Sequence, residues 1–118
     1  MILTRFENGR AAKALFWAAA LFAFIMATLP HPPHVPASDK VQHMVAFATL
    51  ALLGSIAYSR LSTLRLLVGL SLFGAFIEVV QAIPALHRDS DLLDWVADTF
   101  AAAVLLLILR WWRTRSIA

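Results

Sequence analysis

Four apolar stretches, at residues 11–29, 41–58, 66–86 and 92–112, dominate this chain, and its charges are sorted by the side of those stretches on which they fall. Each stretch holds about 18 to 21 residues, which as a helix spans a hydrocarbon core of roughly 30 Å. Eight of the ten Lys and Arg sit in three clusters: Arg5, Arg10 and Lys13, then Arg60 and Arg65, then Arg110, Arg113 and Arg115. The other two, Lys40 and Arg88, lie in the alternate connections with His31, His34, His87, Asp39, Asp89 and Asp91. Lys and Arg concentrate on the cytoplasmic side of membrane proteins, so the three clusters are expected inside and the alternate connections outside.

A composition that is 61% hydrophobic and only 14% charged, with a mean hydropathy of +0.77, suits a chain immersed in lipid. The expected fold is all-α: one polytopic membrane domain over residues 1–118, with four transmembrane helices in an up-down-up-down bundle. Short connections make consecutive helices antiparallel neighbours and place both termini in the cytoplasm. The first stretch has the basic flank and apolar core of a signal peptide, but Ala27-Thr28-Leu29-Pro30 is a poor cleavage site, so it is expected to remain as a span. Pro30, Pro32, Pro33 and Pro36 should keep the first outer connection extended until Ser38 or Asp39 caps the second helix. Pro84 marks the outer end of the third, Ser90 or Asp91 can cap the fourth, and residues 59–65 form a tight inner turn. Trp17, Tyr58, Trp111 and Trp112 fall toward the inner interface and Trp95 toward the outer one.

The absence of cysteine excludes a disulfide framework, thiolate metal sites and thiol nucleophiles. A pI near 10.2 invites nucleic acid, but the basic residues are scattered as helix flanks, so the expected surroundings are a lipid bilayer and no nucleic acid.

Polarity inside the outer half of the spans sets this chain apart from an anonymous bundle. Asp39, Glu78, Asp89, Asp91, Asp94 and Asp98 belong to that side, and of the seven acidic residues only Glu7 lies inside. At 1.5 Å of rise per residue, His43 lies ~6 Å past Asp39, Glu78 ~9 Å before Pro84 and Asp98 ~10 Å past Asp91, so three helices carry ionisable groups to similar depth. Asp39 and His43 are four apart, Glu78 and Gln81 three apart, and Asp91, Asp94 and Asp98 follow an i, i+3, i+7 stripe; each set shares one helix face. An Asp at a helix centre in a membrane costs roughly 2.5–3.5 kcal/mol on insertion scales, so these faces should turn inward and pair. The expected pocket comprises Asp39, Lys40, His43, Glu78, Gln81, Arg88, Asp91, Asp94 and Asp98.

Asp39-Lys40-Val41-Gln42-His43, followed by Phe47, resembles the D-K-x-x-H-x-x-x-F signature that opens the second helix of VanZ-like membrane proteins. Glu78-Val79-Val80-Gln81 resembles that family's E-x-x-Q on the third helix, and Arg88 with Asp91-Leu92-Leu93-Asp94 resembles its R-x-x-D-x-x-D at the start of the fourth. The likeness covers residues 39–103, with its three parts in the family's order. Asp98-Thr99-Phe100-Ala101 departs from it, since Asp98 stands where the family has asparagine and Ala101 where it has glycine. The extra carboxylate requires either protonation of Asp98 or compensation by Lys40, Arg88 or His43. The resemblance implies an integral protein of the bacterial inner membrane, associated with the cell envelope, in a family whose named member is linked to resistance against the glycopeptide teicoplanin.

Each polar residue also has a structural explanation. Asp39 with Gln42 fits a capping box, and Asp91 fits a cap, whereas Asp94 and Asp98 lie too far into their helix to cap it. Glu78 and Gln81 are able to fix helix packing, His43 to bond within that network, and Arg88 to balance Asp89 and Asp91 at the rim. His31 and His34, three apart on a proline-rich connection, are weak metal candidates; no metal or cofactor is expected. Ala-rich faces at 11–12, 18–20 and 101–103 point to close helix packing. Three function classes stay open. The first is a protein that binds or modifies an anionic lipid or polyprenyl-phosphate-linked precursor, using Lys40, Arg88 and two helix N-termini. The second is a structural subunit docked on another membrane protein. The third is an intramembrane enzyme with Glu78, Asp94 or Asp98 as general base and His43 as acid partner.

Overall fold

The computed structural model describes residues 9–30, 38–86 and 91–117. Those residues form helices α1 (Arg10–Thr28), α2 (Asp39–Ala57), α3 (Thr63–Gln81) and α4 (Leu92–Ile117), with a short 3-10 turn, Pro84–Leu86, between α3 and α4. All four helices are long and apolar enough to cross a membrane. The first three have 19 residues each, or about 28 Å of helix, close to the thickness of a hydrocarbon core. The bundle they build is elongated, 50 × 26 × 26 Å.

Local chemistry sets the helix ends. Gly9, at φ 32°, turns the chain in a left-handed conformation just before α1, one that glycine adopts without strain. Ser38 caps α2 by accepting the Val41 amide at 3.2 Å, which leaves Asp39 inside the first turn and removes it from the cap. Ser62 does the same for α3 with the Arg65 amide at 3.1 Å, so α3 starts three residues earlier than the apolar pattern suggests and the inner turn is shorter. Asp91 caps α4 by accepting the Leu93 amide at 2.9 Å. At the other end of α4 the helix continues through Arg110, Arg113 and Arg115, because arginine is a good helix former and its charge suits a helix C-terminus.

Phe47, Leu50, Ala51, Ile77 and Ala102 lie at the centre of the core, each at most 1% exposed. Outside, Phe22, Leu64, Leu72, Val79 and Leu92 keep 65% to 72% of their surface exposed. Helices that are apolar all round and leave such side chains outward are stable in lipid, where no water is ordered by that surface. The most extensive helix contact joins α2 to α4, followed by α3 to α4 and α1 to α2; the sequence neighbours α2 and α3 touch less. Expectation from loop length favoured consecutive pairs, but the small residues Ala51 and Ala102, both fully buried, let α2 and α4 approach closely.

Candidate functional site

The starts of α2 and α4 and the end of α3 meet at one end of the bundle, and their polar side chains form one connected cluster. Lys40, in the first turn of α2, reaches across to α4, its Nζ 3.1 Å from Asp91 Oδ2 and 3.2 Å from Asp94 Oδ1. One turn further along α2, His43 Nδ1 lies 2.9 Å from Asp98 Oδ1, while its Nε2 lies 3.8 Å from Asp94 Oδ2. From α3, Glu78 Oε2 accepts the backbone N–H of Asp91 at 2.9 Å and so ties the end of α3 to the start of α4.

Burial deepens from rim to floor. Lys40 and Asp91 side chains are about half exposed, at 47% and 44%. His43, Glu78 and Asp94 are buried, and Asp98 has no exposed surface. The Leu93 backbone N–H, followed by the Lys40 ammonium, holds the Asp91 carboxyl below the ordinary carboxylate range. Among the described residues, His43 is in contact with Asp98 and Lys40 instead bridges the two acids nearer the rim.

The helix packing explains how a carboxylate fits there. A Cβ placed on Gly74 would stand 3.2 Å from Asp98 Oδ2 and 3.4 Å from both Phe47 Cζ and Trp95 Cδ1, so this glycine opens the space that Asp98 occupies. Ser71 and Thr99 share a 3.0 Å hydrogen bond between α3 and α4, and Trp95 Nε1 donates to the Ser71 carbonyl at 2.9 Å. Trp95 thus also ties α3 to α4. Ser71, Gly74, Glu78 and Gln81 follow an i, i+3, i+7, i+10 stripe, a pattern in the sequence that marks the face of α3 turned toward the cluster.

Gln81 serves a different contact, donating through Nε2 to the Ala27 carbonyl at 2.8 Å and holding the end of α1 against α3. The Asp39 side chain, Arg88, His31 and His34 lie outside the described residues. At the opposite, arginine-rich end, Trp17 Nε1 donates to Tyr58 Oη at 2.7 Å, Lys13 lies over the Tyr58 ring, and Arg113 donates to the Ser55 carbonyl at 3.4 Å. A groove of about 430 Å³ toward that end runs past Phe16, Leu50, Tyr58, Arg65 and Gly69, shares no residue with the polar cluster, and has Arg65 as its one charged lining residue.

Chemically, the cluster offers a hydrogen-bonded His43–Asp98 pair with Asp94 beside it, a half-open ammonium at the rim, and a set of oxygen and nitrogen donors. Comparison with family models, curated proteins and solved structures finds no match.

Proposed function

We propose that the chain is a VanZ-like multi-pass protein of the bacterial inner membrane, arranged up-down-up-down with both termini in the cytoplasm, whose polar junction opens on the outer face. There it binds the anionic headgroup of an envelope lipid or a polyprenyl-phosphate-linked precursor. The observation that carries this reading is the convergence of Lys40, His43, Glu78, Asp91, Asp94 and Asp98 from three apolar helices. Ionisable groups are retained at membrane depth at a cost of several kcal/mol, roughly 2.5–3.5 for each charged residue, which favours a working site over incidental polarity. The rim lies at the N-terminal ends of α2 and α4, where backbone N–H groups and the helix dipole favour an anion, and Lys40 is half exposed beside them.

A structural role in a membrane complex is the second reading, favoured by the ties from Gln81 to Ala27, Trp95 to Ser71 and Glu78 to the Asp91 amide, which fix packing without any ligand. Acid–base chemistry on the bound lipid, with His43 oriented by Asp98, is a use of the same junction by the first reading.

Native mass spectrometry of the protein released from mild detergent separates these. Phosphatidylglycerol and a polyprenyl phosphate are expected to stay bound where diacylglycerol does not, and Lys40→Ala combined with Arg88→Ala should abolish that preference. Equal retention of neutral and phosphorylated lipids by both proteins contradicts the electrostatic mechanism.

A further inference from the structure

His43, Glu78 and Asp94 come from three different helices, are all buried, and each presents a donor atom within 4.8 Å of the other two. From this geometry we infer a binding site for one divalent transition-metal ion, of the Mn²⁺ to Zn²⁺ class, held by His43 Nε2 and the carboxylates of Glu78 and Asp94.

Two details of the geometry support it. His43 Nδ1 is engaged by Asp98 Oδ1 at 2.9 Å. An ionised Asp98 accepts a hydrogen bond from Nδ1–H and keeps the proton on that nitrogen, which fixes the ring and turns the lone pair of Nε2 toward Asp94 and away from Asp98. Metal-binding histidines are oriented by a carboxylate behind them in the same way. The second observation is the 3.8 Å between His43 Nε2 and Asp94 Oδ2. That gap is too long for a hydrogen bond, whereas two donors bound to one small cation at about 2.0–2.2 Å stand about 3–3.5 Å apart. Closing the widest separation in the set asks for roughly 1–2 Å of side-chain movement.

His43, Glu78 and Asp94 are each at most 8% exposed, so the donor set is enclosed by the bundle. One imidazole with two carboxylates, and no thiolate in the chain, suits a borderline or hard ion and leaves coordination positions for water or a ligand oxygen. The site rests on these residues alone and holds whichever ligand the junction takes.

The test is Zn²⁺ and Co²⁺ binding to the full chain, stripped with chelator in mild detergent. Equilibrium dialysis should give one Zn²⁺ per chain, and Co²⁺ loading should produce a visible absorption band displaced by Zn²⁺. Glu78→Gln, Asp94→Asn and His43→Ala should each weaken binding at least tenfold, and Asp98→Asn, acting through the ring, by about 10–100-fold. His31→Ala with His34→Ala should leave it unchanged. X-ray absorption of the Zn²⁺-loaded wild type, which needs no variant to fold, should show one imidazole among oxygen neighbours. Absence of stoichiometric metal in the folded wild type, a shell without imidazole, or binding lost in the His31/His34 variant and kept in Glu78→Gln would overturn the site.

Discussion

Burying Asp98 with no exposed surface requires a hydrogen-bond partner and space for its carboxylate; His43 supplies the first and Gly74 the second. Gly74→Val is therefore expected to destabilise the bundle by about 1–3 kcal/mol through overpacking, read as a lower melting temperature in detergent. Gly69→Ala on the same helix, where an added Cβ meets nothing within 4 Å, is the control and should be neutral or mildly stabilising. A Gly74→Val protein as stable as the control would show that the close approach is not needed. Glu78→Gln and Asp94→Asn keep shape and much of the hydrogen bonding, so a functional charge predicts normal membrane insertion with loss of function. Variants that keep function, or that fail only by losing folded protein, favour the structural reading. At this scale the sequence revealed which residues were costly to bury, because depth and spacing alone identify them. It did not reveal who pairs with whom: Lys40 meets Asp91 and Asp94 because α2 lies against α4, a lateral choice that no spacing along one helix encodes.

Helix boundaries were legible at Ser38, Asp91 and Pro84, whereas the Ser62 cap of α3 was missed. Ser38, Ser62 and Asp91 each place a side-chain oxygen on an orphan amide, and α3 stops shortly before Pro84. Apolar pattern alone misplaced the start of α3 and the end of α4, where arginine continues a helix as readily as leucine. The stripe of Ser71, Gly74, Glu78 and Gln81 was present in the sequence but has no hydrophobic signature, so a reading weighted toward charge passes over Ser71 and Gly74. Trp95 shows the same limit: a tryptophan near a span end fits the interface by position, and its bond to the Ser71 carbonyl depends on how α3 and α4 are rotated.

Across the molecule as a whole, one end of the bundle collects acids, His43 and Lys40 among the described residues, while the other collects arginines, tyrosine and tryptophan. The apolar belt between them fits a bilayer. If the polar junction opens on the outer face, then the connections that carry Pro33 and Ser90 lie outside and the turn at Arg60 lies inside. The chain has no cysteine, so single cysteines at these positions report accessibility without background. In intact cells, Pro33→Cys and Ser90→Cys are predicted to react with a membrane-impermeant thiol reagent, and Arg60→Cys only after permeabilisation. Labelling of Arg60→Cys from outside, with Pro33→Cys and Ser90→Cys protected until the membrane is breached, would contradict the orientation on which the proposed outer-face lipid site depends.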